Sequence, residues 1–159
     1  LTLRPIRAED EPLMVQFHKG LSERSVYLRY FTALPLSERA SHQRLARLCF
    51  ADYDRELALV AEHRDASGVA EIAGVARFIK EHGVNEAEFG IIVADPWQGR
   101  GLGTVMMEKL VATARTEKLA RLRGIILAEN HDMLDLARRL GFTLRHVLDS
   151  NECEATLTF

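Results

Sequence analysis

The chain has 159 residues, of which 47% are hydrophobic and 28% charged, and this composition is typical of one globular domain with a substantial core. A net charge of −2, with arginines scattered along the chain, argues against the basic face of a nucleic-acid-binding protein. No apolar run reaches the roughly 18 residues that cross a bilayer and no signal-peptide pattern opens the chain, so we expect no membrane partner.

The cysteines, the histidines and the first residue bear on location, metal binding and domain organisation. Cys49 and Cys153 form no C-x-x-C pair, which is consistent with thiols in a reducing, cytoplasmic location. The six histidines lack any metal-ligand spacing, so we expect no metal site. We expect residues 1–159 to form a single domain, and because Leu1 rather than Met opens the chain, this domain is either excised from a larger protein or a trimmed sequence.

Alternating apolar residues and turn residues predict the elements of the first half of the chain. We expect a strand at residues 2–6, a helix after Arg7 that Asp10 caps, and a loop or short helix over residues 21–31. A second helix would start at Ser37. An antiparallel meander then follows, with strands at residues 56–62, 72–79 and 87–93.

The second half of the chain is predicted to alternate helices and strands. A long helix over residues 102–118 precedes a strand at 122–128, and a short helix over 132–140 ends at Gly141. The last two strands are expected at residues 143–148 and 153–159. This order predicts an α/β domain with a mixed, mostly antiparallel sheet of about seven strands flanked by about four helices.

A glycine-rich loop at residues 93–104 joins the strand at 87–93 to the long helix. Its backbone N–H groups and the positive end of the helix dipole suit a phosphate. A nucleoside-triphosphate loop needs Lys before Ser or Thr, but Thr104 follows Gly103 directly, and a dinucleotide loop needs G-x-G-x-x-G rather than the observed G-x-G-x-G. A turn without a ligand is the plainest alternative, but three alternating glycines at a strand-to-helix junction favour a phosphate-bearing ligand.

The spacing Gln-x-x-Gly-x-Gly, filled by Gln98, Gly101 and Gly103, resembles the coenzyme A pyrophosphate loop of the GCN5-related N-acetyltransferases, the GNAT family. Asn130 and Leu140–Phe142 resemble a second landmark of that family. The resemblance covers nearly the whole chain and implies a GNAT fold with acetyl-CoA (coenzyme A) as cofactor. The cofactor-binding residues that it implies are Ile91, Ile92, Val93, Gln98, Gly99, Arg100, Gly101, Leu102, Gly103, Thr104, Asn130 and Met133.

Two further segments, Leu21–Phe31 and Asp52–Ala61, resemble the acetyltransferase domain of bacterial protein lysine acetyltransferases of the Pat type. This resemblance implies acetyl transfer to a protein lysine, with an acyl-CoA synthetase as the partner. A lysine amine has a reference pKa of about 10.4 and is mostly protonated at neutral pH, so a carboxylate must remove a proton. Acetylation of a small-molecule amine and acyl-CoA sensing without catalysis are the alternatives.

Glu88 is the candidate general base, because Ala87-Glu88-Phe89 matches the strand glutamate that acts as base in the Pat type. We expect Glu88 to be partly buried at the start of the strand that leads to the loop. A solvated carboxylate at a strand end is the plain alternative, and Glu86, one strand period away, is the rival base.

One position departs from the family pattern. Many GNAT enzymes place a tyrosine seven residues after the asparagine, where it protonates the leaving thiolate, but here that residue is Ala137. The leaving group could depart as a thiolate without a general acid. Asp52, Asp54 and Glu56 form an acidic group that we interpret as capping and pairing with Arg55 rather than attracting substrate.

Overall fold

The computed structural model describes all residues, 1–159, and its elements follow the predicted strand order. The strands are β1 (Thr2–Pro5), β2 (Glu56–Arg64), β3 (Ala70–Lys80), β4 (Glu86–Val93), β5 (Arg121–Leu127), β6 (Thr143–His146) and β7 (Glu152–Thr158). The helices are α1 (Glu11–Lys19), α2 (Glu23–Tyr30), α3 (Leu36–Arg39), α4 (His42–Cys49), α5 (Leu102–Thr116) and α6 (His131–Arg139). None of them combines the length and apolar character needed to cross a bilayer.

The seven strands form one mixed sheet in the order β1-β2-β3-β4-β5-β7-β6. Every neighbouring pair is antiparallel except β4 and β5, which are parallel. The predicted fold class and the seven strands are therefore confirmed. Six helices are present rather than about four, because residues 21–31 form a helix and the second predicted helix is divided in two.

Two predicted helix starts are wrong. The division between α3 and α4 lies at Ala40, and the Ser41 hydroxyl accepts the Arg44 N–H at 3.3 Å, so Ser41 rather than Ser37 caps the longer helix. Asp10 does not cap α1, because its carboxylate accepts the Arg7 N–H at 2.7 Å and two hydrogen bonds from the Arg4 guanidinium at 2.8 Å. Burial disfavours the charged form of Asp10, but these donors outweigh it and lower its pKa.

Two apolar layers cover the two faces of the sheet. The larger joins the sheet to α5 and α6, and the smaller joins it to α1 and α4. Residues with odd numbers in β4, such as Phe89, face the larger layer, and Ile92 faces the smaller one. Met106, Leu110 and Ala114 of α5 are fully buried in the larger layer.

The parallel strands β4 and β5 separate soon after they begin. They pair over only three residues each, Glu86–Glu88 with Arg121–Arg123. Just beyond this point the Phe89 ring packs against the backbone of Gly124, where an added Cβ would lie 2.5 Å from the ring. The same ring meets Phe142 edge-on at 5.5 Å between centroids. The sheet therefore opens into a cleft between the carboxyl ends of two central strands.

Candidate active site

The opening between β4 and β5 forms a small cleft of about 70 Å³. Glu88, Gly90 and Ile91 line it from β4, and Ile125 and Ile126 line it from β5. Asn130 and Met133, at the start of α6, close one end of this cleft, and three residues of α2 and its cap line another side: Leu28, Arg29 and Phe31. The cleft thus collects residues from four separate parts of the chain.

The β4 edge that faces this cleft carries backbone groups without a partner strand. Ala94 N–H donates to Ala73 O of the β3 segment at 2.8 Å. Because backbone groups alternate in direction along a strand, those of Ile91 and Val93 point to the opposite edge, beyond the last pairing with β5. Ile92 instead faces β3, and its side chain lies outside the cleft.

The glycine loop presents a run of unused donors. The six amides of residues 99–104 donate no hydrogen bond within the protein, and α5 starts at Leu102 without a side-chain cap. Gly99 and Gly101 have φ values of 74° and 84°, which side chains rarely adopt. This arrangement is a concave set of N–H groups at a helix N-terminus, which fits a diphosphate.

The Gln98 side chain connects the loop to α2. Its amide donates to Ser25 Oγ at 2.9 Å and to Val93 O at 3.0 Å. Asp95 accepts the Ser22 N–H at 2.9 Å and the Ser25 hydroxyl at 3.1 Å. Burial opposes the charged form of Asp95, but these hydrogen bonds lower its pKa below the ordinary value. The network fixes the loop against α2.

The remaining loop and helix candidates have ordinary contacts of their own. Arg100 is exposed, and its guanidinium lies 4.9 Å from the centre of the Trp97 ring. Asn130 caps α6, because its side-chain oxygen accepts the Met133 N–H at 3.3 Å. Asn130 still lines the cleft beside Met133. Thr104 and Gly103 lie in the first turn of α5 and contribute backbone donors.

The two candidate bases have different surroundings. Glu88 lines the cleft and is exposed, so the expected partial burial is wrong, because its side chain lies where the two strands separate. Glu86 is half-buried and forms an ion pair with Arg121, in which a guanidinium nitrogen lies 3.0 Å from the carboxylate oxygen. Glu88 is therefore the carboxylate that is free to meet an acceptor, and the half-buried Arg29 lies within electrostatic reach.

The sequence model described as Acetyltransferase (GNAT) domain matches residues 1–143. The chain belongs to the GNAT family. GNAT acetyltransferases take the acetyl group from acetyl-CoA, and the free loop amides and the open β4 edge fit that donor.

Relatives and solved structures agree with this assignment. The GNAT domain is 31% identical over 140 residues to the acetyltransferase PA5475 of Pseudomonas aeruginosa, covering 88% of this chain and 73% of that protein. It is 27% identical over 140 residues to the acetyltransferase Pat of Mycolicibacterium smegmatis, covering 87% of this chain but only 40% of Pat. The crystal structure of the GNAT domain of S. lividans PAT shares the fold, with a TM-score of 0.84, 24% identity and coverage of 99% and 89%.

A second and larger cavity of the GNAT domain was not anticipated from the sequence. It has a volume of about 550 Å³ and lies between α1, α2, α4 and the face of β3 and β4. It meets the cleft at Gly90 and Arg29, which line both. The Arg29 guanidinium lies directly on the Gly90 backbone and occupies the space that a Cβ would need. The absence of a side chain at Gly90 therefore makes room for the Arg29 guanidinium between the two spaces.

Other side chains of the GNAT domain are committed to structure. Ala137 is fully buried in the larger core, and the Tyr53 hydroxyl donates to Ile6 O at 3.0 Å. The expected pairing of Arg55 with the acidic group is wrong, because Arg55 contacts the His82 ring and Glu56 pairs with Arg77 at 3.0 Å. Both cysteines are free thiols, and burial raises the pKa of Cys49 to about 11.

Proposed function

We propose that this chain transfers an acetyl group from acetyl-CoA to a lysine side chain of a protein, with Glu88 as the general base. The observation that carries the proposal is the position of Glu88. It is a carboxylate without an ion-pair partner, in a cleft that adjoins both the open edge of β4 and the larger cavity. An acceptor amine and a thioester brought to this cleft would meet beside that carboxylate.

Glu88 would accept a proton from the acceptor ammonium, directly or through a water, and so free the nitrogen lone pair. Bound acetyl-CoA supplies a thioester whose carbonyl carbon the amine attacks. The C–N bond forms, the C–S bond breaks with release of the thiolate, and the nitrogen loses its second proton to solvent. Residue 137 is alanine rather than the tyrosine that many GNAT enzymes use as general acid, so the thiolate takes its proton from solvent. A reference thiol pKa of about 8.5 makes departure as a thiolate tolerable. Direct transfer needs no covalent enzyme intermediate.

The donor would be held by backbone groups along β4 and the loop. Ile91 offers its N–H and C=O groups to the pantetheine arm, as an added strand would use them. The Val93 C=O accepts from the Gln98 amide, and its N–H would stabilise charge on the thioester oxygen. The six loop amides would bind the diphosphate, with Arg100 supplying a nearby positive charge. Asn130 and Met133 would contact the arm from the start of α6.

The acceptor class follows from the Pat-type resemblance of Leu21–Phe31 and Asp52–Ala61. The first segment forms α2, which supplies Leu28 and Arg29 to the cleft. We therefore assign the target lysine to a protein, with an acyl-CoA synthetase as the first candidate, and place the reaction in the cytoplasm within one domain. Ile92, whose side chain lines the larger cavity, would contact the acceptor rather than the donor.

The test is mass spectrometry of purified acyl-CoA synthetases after incubation with this chain and acetyl-CoA. We expect one lysine to gain about 42 Da, the mass of an acetyl group, and no gain with the Glu88→Gln variant. A panel of small amines, assayed in parallel for thiol release, is the comparison. Thiol release with a small amine but with no protein substrate would overturn the proposed acceptor class.

A further inference from the structure

Arginines dominate the charge of the larger cavity. Arg29, Arg44, Arg47 and Arg77 line it, whereas Glu38 is the one acidic residue in its lining. His18 also lines the cavity and is 3% exposed. A cavity of about 550 Å³ is in the size range of small-ligand sites, and its charged groups set what it can accept.

Three of these four arginines have no ion-pair partner within the protein. Arg77 pairs with Glu56 at 3.0 Å, but Arg29, Arg44 and Arg47 form no ion pair. Arg29 and Arg44 instead lie over the Tyr30 ring, at 5.1 and 5.3 Å from its centre. Burial lowers the pKa of Arg29, the charges of Arg77 and Arg44 act in the same direction, and the charges of Tyr30 and Glu88 oppose it.

Arg29 is half-buried, whereas Arg44 and Arg47 are exposed, and all three line the cavity without an ion-pair partner. Such guanidinium groups are donors that an anionic ligand can use. The phosphates of acetyl-CoA are not that ligand, because the loop amides lie after the end of β4, whereas the cavity follows Gly90 and Ile92 on the face covered by α1 and α4. A lysine ammonium alone would be repelled by this cavity. An acceptor that also carries an anion would be attracted.

We infer that the larger cavity binds a carboxylate of the acceptor, close to the amine that is acetylated, through Arg29 and Arg44 with Arg77 behind them. The inference rests on the proposed acetyl transfer at Glu88. It narrows the acceptors to lysines that have an acidic neighbour in the chain or a free α-carboxylate. The acidic neighbour and the free α-carboxylate both present a carboxylate to the arginines, and matched probes distinguish these two sources of the carboxylate.

The test uses two pairs of acceptors that differ in one carboxylate. The first pair is a lysine peptide with Glu or Gln beside the lysine, and the second is Nα-acetyl-lysine with a free or an amidated carboxyl group. Binding to the coenzyme A-loaded protein is measured by calorimetry and acetyl transfer by kcat/KM. We expect the acidic member of at least one pair to be favoured about 10- to 100-fold, as for hydrogen bonds to a charged group.

Variants assign the preference to the arginines. Arg44→Gln, at the exposed side of the cavity, should reduce the preference about tenfold or more, and Arg44→Lys should restore part of it. Arg29→Gln is the second variant. Arg24→Gln is the matched control, because Arg24 is exposed on the same helix as Arg29 and lies outside the cavity.

The outcomes separate this inference from the proposed function. Preferential binding of the acidic probes without transfer would uphold the inference and contradict the proposed function. Acetyl transfer with the same kcat/KM and the same affinity for both members of each pair would uphold the proposed function and contradict the inference. Equal binding and equal transfer within both pairs, or a preference that Arg44→Gln and Arg29→Gln leave unchanged, would overturn the inference.

Discussion

At the scale of single residues, the loop glycines matter through backbone conformation rather than through crowding. Gly101 has a φ of 84°, and no atom lies within 4 Å of where its Cβ would be. A side chain there would fit in space but would strain the backbone, at a cost of about 1–2 kcal/mol. That strain would also turn the neighbouring amides away from a shared anion.

We therefore predict that Gly101→Ala weakens acetyl-CoA binding about tenfold and lowers the free energy of unfolding by about 1 kcal/mol. Gly68→Ala is the matched control, because Gly68 has a φ of 81° and equally open surroundings in the turn between β2 and β3. It should lose similar stability and keep its affinity for acetyl-CoA. Calorimetry and urea unfolding measure the two quantities. Equal affinities in both variants would show that the loop amides do not bind the donor.

At the scale of elements, the loop and α2 are held together by side chains far apart in sequence. Ser25 joins them, because its hydroxyl donates to Asp95 and accepts from Gln98. Ser25 is 8% exposed, so water replaces these bonds poorly. Removing the hydroxyl leaves part of the hydrogen-bonding capacity of both partners unused.

We predict that Ser25→Ala lowers the free energy of unfolding by about 1–3 kcal/mol. A double-mutant cycle with Asp95→Ala should give a coupling energy above about 0.5 kcal/mol. Thr113→Ala, which removes a hydroxyl bonded within α5 to Lys109 O, is the control and should show no coupling to Asp95. Urea unfolding gives all the values, and strictly additive effects of Ser25→Ala and Asp95→Ala would contradict the network.

The sequence predicts the elements well where the signal is local. Alternation marks β2 to β4, and the spacing of Gly99, Gly101 and Gly103 marks the loop, since both patterns depend on neighbouring residues. Ser37 and Ser41 each lie beside a helix start, at Leu36 and His42, and only the break at Ala40 separates the two helices.

The larger cavity could not be predicted in the same way. Arg29, Arg44 and Arg77 lie on α2, α4 and β3, and they converge only because these elements pack together. In the sequence these arginines are far apart and form no motif that indicates a shared site. The resemblance to the Pat type identifies Glu88 as the candidate base. Its exposure depends on where the pairing of β4 with β5 ends, which no local sequence pattern specifies.

At the scale of the whole molecule, one buried histidine links stability to pH. His18 is 3% exposed and its Nδ1 atom has no hydrogen-bond partner. Burial, aided by the charges of Arg39 and Arg44, lowers its pKa from 6.5 to about 4. The unfolded chain therefore binds a proton below pH 6.5 that the folded protein does not bind until about pH 4, so stability falls across this interval.

We predict that the free energy of unfolding falls on the order of 2 kcal/mol between pH 7 and pH 4.5, and that His18→Gln removes most of this dependence. The carboxylates with lowered pKa values, Asp10, Asp95 and Glu62, contribute their own loss only below their ordinary values of 3.8 for the two aspartates and 4.5 for Glu62, so the two effects separate. Urea unfolding at a series of pH values measures the dependence. An unchanged slope in the variant would contradict the assignment.

The proposed acetyl transfer depends most directly on the Glu88 carboxylate in the cleft. The decisive measurement is the rate of acetyl transfer at saturating acetyl-CoA and acceptor for Glu88→Gln and, as the matched control, Glu86→Gln. Glu86 is paired with the partly exposed Arg121, so its loss should cost at most about 1 kcal/mol of stability and leave turnover near normal.

We predict that Glu88→Gln lowers kcat about 10²- to 10⁴-fold, because the acceptor amine loses its base, while acetyl-CoA affinity is retained. Near-normal turnover of Glu88→Gln, together with an inactive Glu86→Gln, would contradict the account.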